Sequence, residues 1–184
     1  MSSRKTSQNL VLLSGIPASG KSSYGRWLSE KKGFLHLDVE APGVLTNAGL
    51  HRAWEEMFQS HTGERFVAAL RRQQCPVALD WGFPPCHLPL AKDLHANGVI
   101  GWWFDGDRQV ARDSFIQRRT VSVKDLDIQM AAIQSNWSVI AATFEPRILN
   151  AVRSDGTYLS PDDIYERMFP DEVSAGRAKR QHTR

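Results

Sequence analysis

GIPASGKS, residues 15 to 22, decides the fold of this chain, because it matches the pattern G-x-x-x-x-G-K-[ST] at every fixed position. Gly15 and Gly20 let the backbone turn so that successive N–H groups can face phosphate oxygens. Lys21 is long enough to reach β- and γ-phosphates, and Ser22 offers a hydroxyl to the accompanying metal ion. The octapeptide therefore predicts a site for a nucleoside triphosphate with Mg²⁺.

The sequence on both sides of the octapeptide supports this prediction. The apolar run at residues 10–13 indicates a strand before it, and residues 22–30 indicate a helix after it. The positive N-terminal end of that helix adds to an anion site. We expect nucleotide contacts from the loop and the start of the helix: Gly15, Pro17, Ala18, Ser19, Gly20, Lys21, Ser22 and Ser23.

Apolar runs alternate with helical patterns along the chain, which is typical of a parallel sheet with helices on both faces. The predicted strands are residues 10–14, 34–37, 77–80, 99–104 and 158–159. The principal predicted helices are residues 48–59, 64–73, 88–96, 107–119 and 162–168, and residues 126–144 carry an apolar stripe typical of a core face. We expect the three-layer α/β fold of P-loop NTPases, with a five-stranded, mostly parallel sheet and a small helical lid.

The length of 184 residues suits one α/β domain and is too short for two. We predict this domain at residues 10–170, between disordered tails at residues 1–9 and 171–184. Arg4 and Lys5 carry +2 and the C-terminal tail carries a net +2, so the total of +3 leaves about −1 for the domain. A nucleic-acid partner is therefore less favoured than a small molecule.

The apolar pattern argues against a membrane-spanning protein and against a secreted protein. No window is long and apolar enough for a membrane span, and the polar N-terminus does not resemble a signal peptide. We therefore expect a cytoplasmic protein without a membrane partner. The sequence leaves the oligomeric state open.

The residues outside the octapeptide narrow the class of nucleotide-binding protein. A GTPase needs an Asn-Lys-x-Asp segment that reads guanine, and the chain contains none. Motor ATPases carry a second carboxylate after the acidic residue that ends their metal-site strand, but here Trp81 follows Asp80. This pattern favours phosphoryl transfer to a bound acceptor over hydrolysis.

Several separated segments together resemble the small P-loop kinases of the nucleoside-monophosphate-kinase-like group, in particular the predicted AAA-type ATP-binding kinases. These segments are the Gly-x-Pro-x-Ser-Gly-Lys-Ser loop, Asp80-Trp81-Gly82-Phe83 after the third strand, the arginine-bearing helix at residues 107–119, and Phe144-Glu145-Pro146. The resemblance covers residues 9–168. Related branches include polynucleotide 5′-kinases, gluconate and shikimate kinases, antibiotic phosphotransferases and zeta-type toxins, and the shared pattern does not choose among them.

The resemblance implies a division into donor and acceptor sides. It implies an acceptor-side helical insertion at about residues 45–74 and a lid at about residues 119–126. Asp38 ends the second strand, where open α/β sheets bind ligands, and an Asp there in similar kinases orients or deprotonates the acceptor hydroxyl. Glu40 is a weaker candidate for that role. Asp80 is expected to help hold Mg²⁺ with Ser22, or to contact the acceptor.

Cationic and aromatic residues complete the predicted site. Arg108, Arg112 and Arg119 share one helix face, and we predict that Arg112 and Arg119 are catalytic, neutralising charge on the transferred phosphoryl group. Arg118, on the flank of that face, is an alternative. Three aromatic residues could wall the acceptor pocket or belong to the core: Trp54, Trp81 and Phe83.

These observations predict an ATP- and Mg²⁺-dependent kinase that phosphorylates a hydroxyl of a small molecule. Lys21 and Asp38 are its predicted central catalytic residues. Two alternatives remain open: a polynucleotide or nucleotide-end 5′-kinase, and a regulatory nucleotide-binding module with only slow ATP hydrolysis.

Overall fold

The computed structural model describes residues 9–117, 122–172 and 174. Within this part of the chain, the strands are β1 (Leu10–Gly15), β2 (Leu35–Asp38), β3 (Val77–Asp80), β4 (Ile100–Gly106) and β5 (Ile148–Val152). The helices are α1 (Lys21–Lys32), α2 (Val44–Asn47), α3 (His51–Ser60), α4 (Glu64–Arg71), α5 (Leu88–Ala96), α6 (Arg108–Gln117), α7 (Val123–Ser135), α8 (Trp137–Phe144) and α9 (Pro161–Met168). None of these helices has the length and apolar character needed to cross a bilayer.

The strands form one sheet in the order β2-β3-β1-β4-β5, and all neighbouring strands are parallel. The predicted three-layer α/β fold with a five-stranded sheet is confirmed. Because all strands run the same way, their carboxyl ends lie at one edge, where open α/β sheets bind ligands. In the register between β2 and β3, Asp38 lies opposite Asp80.

The two sheet faces are buried by different helices. One apolar cluster joins sheet residues such as Leu12 and Leu79 to α3, α4, α5, α7 and α8. The other joins Val11 and Ala78 to side chains of α1 and α9. Since side chains alternate between faces along a strand, His36, Asp38 and Asp80 all belong to the face that α1 covers.

The fifth strand was predicted in the wrong place. It is β5 at Ile148–Val152, and Tyr158 makes only an isolated antiparallel bridge with Val152. A short apolar run such as residues 148–152 fits a strand or a helix equally well by periodicity, so only its pairing with β4 settles the assignment. The long apolar stripe also divides, since α7 ends at Ser135 and α8 begins at Trp137.

The predicted helix at residues 48–59 is likewise corrected. Gly49, with a φ of 70°, separates α2 from α3, so the segment between β2 and β3 contains three helices where two were predicted. At the ends of the domain, the Asn9 amide donates to the Glu172 carboxylate at 2.7 Å. The rest of the two predicted tails, and residues 118–121 of the predicted lid region, lie outside the described residues, apart from Asp171 and Ser174.

Serine side chains cap the starts of α7 and α9. Ser160 Oγ accepts a hydrogen bond from the Asp163 N–H at 3.1 Å, and Pro161 occupies the first turn. Ser160→Ala should lower the free energy of unfolding by about 1 kcal/mol in urea titrations, because an N–H of the first turn loses its partner. Ser29→Ala, at an exposed position inside α1, is the control. Equal effects of the two substitutions would contradict the capping role.

Candidate active site

The loop between β1 and α1 has the backbone that the octapeptide predicts, with one additional constraint. Gly15 has a φ of 145°, and a Cβ there would overlap the Phe104 carbonyl of the neighbouring strand β4. Ala18 and Gly20 also have positive φ values, of 56° and 91°. Gly15 is therefore required by close packing between strands as well as by backbone conformation.

Lys21 lies inside this loop. Its side chain is 9% exposed, and Nζ donates to the carbonyls of Ile16 at 2.8 Å and Gly15 at 3.2 Å, with Ser19 Oγ at 3.4 Å. Ser22, the next residue of α1, is exposed. The loop thus presents one ammonium group and one hydroxyl beside the N-terminus of a helix, which is an arrangement suited to phosphate oxygens.

A cleft of about 390 Å³ opens beside the loop. Its polar lining combines the start of α1 with residues from β3, the segment after β2, and α7: Lys21, Ser22, Glu40, Asp80, Asp125 and Gln129. The Asp80 residue is only 3% exposed, so its carboxylate is a largely buried charge in the wall of the cleft. Residues from the phosphate loop and from the ends of β2 and β3 therefore share one cavity.

The carboxyl ends of β2 and β3 bring three carboxylates together. Asp38 is half-buried, and its Oδ1 accepts from the Glu40 N–H at 3.1 Å. The pKa of Glu40 is raised, first by burial and then by Asp38 and Asp80, while Lys21 and the Gly82 N–H oppose the shift. Glu40 lines the cleft, and Asp38 lies next to Glu40. The structure therefore supports Glu40 as a site residue more strongly than the sequence does.

The residues present fit a magnesium ion held largely by its nucleotide. The described residues contain no group of three or more His, Cys, Asp or Glu placed to bind a metal alone. Mg²⁺ commonly takes one or two protein oxygens, completing its shell with phosphate oxygens and water. Ser22 and Asp80, which line the same cleft, supply a hydroxyl and a carboxylate of the required kind.

The predicted arginines lie in different surroundings. Arg112 donates from Nε and Nη2 to the carboxylate of Asp127 on α7, at 2.8 and 3.1 Å, and these hydrogen bonds hold the pKa of Asp127 below its usual value. The Arg108 guanidinium pairs with Asp105 and lies 5.0 Å from the Trp137 ring centroid. Arg118 and Arg119 lie outside the described residues. The catalytic roles of Arg112 and Arg119 stay predictions.

The predicted aromatic wall packs chiefly within the core. Trp81 and Phe83 are 5% and 3% exposed, and their ring centroids lie 4.7 Å apart. Trp54 meets Trp81 edge to face at 5.0 Å. Gly82, between the two buried aromatic residues, reaches the cleft. These side chains therefore position the backbone of Gly82, and direct contact with an acceptor stays a prediction.

Sequence reasoning missed two contributors to the site. Gln129, on α7, lines the cleft and its amide donates to the Gly82 carbonyl at 3.4 Å, but no motif marks this residue. The Tyr158 hydroxyl donates to the Ala18 carbonyl at 3.0 Å and so ties the segment after β5 to the phosphate loop. Residues 158–159 were predicted as a strand, and that prediction did not indicate a contact between Tyr158 and the loop.

Comparisons with known proteins agree with this geometry. No protein-family model matches the chain. Over 77 residues it is 34% identical to the shikimate kinase of Geobacter metallireducens, a match that covers 39% of this chain and 43% of the relative. The chain thus matches less than half the length of that curated relative.

A crystal structure of a gluconokinase from Sinorhizobium meliloti 1021 is similar over 96% of this chain and 98% of its own, with a TM-score of 0.51 and 14% identity. At 14% identity, this similarity shows that the two chains share a fold. The sequence match and the structural match together support a small P-loop kinase of the nucleoside-monophosphate-kinase-like group.

Proposed function

We propose that this chain is a Mg²⁺-dependent kinase that transfers the γ-phosphoryl group of ATP to a hydroxyl of a small-molecule acceptor. One observation carries the proposal: the phosphate loop, Glu40 after β2 and Asp80 at the end of β3 line one cleft at the carboxyl edge of the sheet. Trp81 is buried in the core directly after Asp80, at the position where a hydrolytic ATPase needs a second carboxylate. This supports transfer over hydrolysis.

The reaction assigns a separate task to each polar group. Asp38 takes the proton of the acceptor hydroxyl, and the acceptor oxygen forms a bond to the γ-phosphorus. The bond from that phosphorus to the β,γ-bridging oxygen breaks, and ADP leaves. Lys21 stabilises the negative charge on the phosphoryl oxygens. Ser22 and Asp80 would hold Mg²⁺, which when bound neutralises charge on the β- and γ-phosphates.

Arg112 of α6 and Arg119, which lies outside the described residues, are proposed to assist at the γ-phosphoryl group. Arg112 would have to exchange its hydrogen bonds with Asp127 for phosphoryl oxygens, since its guanidinium is now paired across to α7. Arg119 follows on the same predicted face of the helix. Mutating each arginine to Gln and comparing kcat separates their contributions.

An acceptor screen tests the proposed function. Wild-type protein, Asp38→Asn and Lys21→Ala are incubated with radiolabelled ATP, Mg²⁺ and a library of small alcohols, and phosphorylated products are counted. We expect a product that depends on Lys21 and Asp38. Preferred labelling of oligonucleotide 5′ ends, with steep salt dependence, would favour the polynucleotide kinase instead. Slow hydrolysis that is indifferent to Asp38, without any product, would favour a regulatory module.

The charge of the cleft predicts which acceptors work best. With Lys21 assigned to the phosphates and Asp80 to Mg²⁺, the remaining charged residues of the described lining are Glu40 and Asp125. Among the acceptors that the screen finds, neutral and cationic alcohols should therefore exceed carboxylate-bearing analogues in kcat/KM. Glu40→Gln should reduce this preference about fivefold, because it removes an electrostatic interaction of about 1 kcal/mol.

The control for this charge effect is Glu30→Gln, an exposed carboxylate on α1 outside the cleft. It should leave the preference unchanged. A wild-type preference for carboxylate-bearing acceptors, or a preference for neutral and cationic acceptors that Glu40→Gln leaves unchanged, would contradict the prediction.

A further inference from the structure

His36 lies on β2, beside the buried carboxylate of the proposed metal site. Its Nε2 is 3.4 Å from Asp80 Oδ2, and the two side chains are 12% and 4% exposed. Both belong to the sheet face covered by α1. The contact thus reaches the carboxylate from within the protein, while Asp80 borders the cleft on its other side.

The chemistry of the pair fixes the direction of this hydrogen bond. An ionised carboxylate can only accept, so the Nε2 atom must donate its N–H to Oδ2. A buried carboxylate that lacks such donors is strongly unfavourable. His36 does not line the cleft, so its contact with the site runs through Asp80.

A glycine on α1 provides the space for this imidazole. Gly25 lies inside the helix, and a Cβ on it would overlap the Nε2 and Cδ2 atoms of His36. Glycine is unfavourable inside a helix, and this residue does not have the left-handed conformation that would otherwise require it. The close approach of the imidazole is therefore the physical reason for a glycine here.

We propose that His36 is a positioning residue for the metal-binding carboxylate of Asp80, and that the lack of a side chain at Gly25 leaves room for its imidazole. By donating to Oδ2, it would restrict rotation of the Asp80 carboxylate and so hold this carboxylate in one orientation for Mg²⁺. Removing a group that is hydrogen-bonded to a metal ligand commonly lowers metal affinity by about 10- to 100-fold. This inference rests on the metal role of Asp80 in the proposed function.

The test measures nucleotide binding and needs no acceptor. Fluorescent ATP is titrated against each protein in EDTA and in increasing Mg²⁺, which gives the gain in ATP affinity caused by the metal and its half-saturating concentration. His36→Leu should raise the half-saturating Mg²⁺ concentration about tenfold and leave affinity in EDTA unchanged. His36→Gln, whose amide N–H reaches about as far as Nε2, should stay within about threefold of wild type.

Other variants separate positioning from folding. His95 is the matched control, because it is also a partly buried histidine packed over a glycine, Gly101, but it lies away from the cleft. His95→Leu should leave the Mg²⁺ response unchanged. If His36→Leu does not fold, His36→Asn replaces it, since its shorter amide should not reach Asp80 and should show the loss that His36→Gln avoids.

Gly25→Ala should weaken the Mg²⁺ response in the same direction, and it should have no further effect in a His36→Ala background. A normal Mg²⁺ response in His36→Leu, or equal responses of His36→Asn and His36→Gln, would overturn the positioning role and leave the proposed kinase intact. If Mg²⁺ gives wild-type protein no gain in ATP affinity, the proposed metal-dependent function fails first, and this inference fails with it.

Discussion

Lys21→Ala should lower the rate of phosphoryl transfer by about 10²- to 10³-fold, because the charge that develops on the transferred group loses a preorganised ammonium. The Lys21 side chain lies within the phosphate loop, where its Nζ donates hydrogen bonds to the Gly15 and Ile16 carbonyls. The ammonium group is therefore already close to the expected phosphate position before a nucleotide binds. Single-turnover transfer with the identified acceptor measures the effect directly. It separates the chemical step from product release.

Lys31→Ala is the matched control for that measurement. Lys31 lies in the last turn of the same helix and is exposed, so its removal changes the net charge equally without touching the loop. Its transfer rate should be close to that of wild type. A Lys21→Ala protein that folds normally and transfers at more than a tenth of the wild-type rate would refute the role assigned to Lys21.

Asp38→Asn should lower transfer by about 10²- to 10⁴-fold, the range for loss of a general base, while ATP affinity stays near that of wild type. An amide of the same shape still accepts from the Glu40 N–H, but it cannot take a proton from the acceptor. Measuring ATP binding and transfer on the same protein distinguishes a lost base from a lost nucleotide site.

Glu40→Gln provides the comparison for Asp38→Asn, since Glu40 lines the cleft and has a raised pKa. If Asp38 is the base, Glu40→Gln alters acceptor preference and retains most of the rate. If Asp38→Asn is nearly as fast as wild type and Glu40→Gln is slow, the base is Glu40 and the assignment from the sequence is wrong.

The donor side of the site was predictable because it depends on local sequence. The octapeptide specifies a strand, a turn and a helix in one continuous segment, so its residues reach their positions without help from the rest of the chain. Asp80 was predictable for a similar reason, as the final residue of a strongly apolar strand. The parallel sheet then places it beside the loop.

The cleft wall formed by α7 could not be predicted in this way. Gln129 reaches Gly82 only because α7 packs across the sheet edge, and that contact joins residues far apart in sequence. The prediction of the fifth strand was wrong for the same reason, because residues 148–152 become a strand by pairing with β4. Asp125 forms hydrogen bonds with Ser122 at the start of α7 and also lines the cleft, and no local motif indicates this second position.

The strand order has a consequence for how the molecule can change. β1, which carries the phosphate loop, lies at the centre of the sheet between β3 and β4, whereas β2, which carries Asp38, is an edge strand with one neighbour. The proposed donor half thus lies in the middle of the domain, and the proposed acceptor half lies at its edge. If the proposed function holds, exchanging the segment from β2 to α4 for that of a known kinase should change which acceptor is used and leave ATP binding intact.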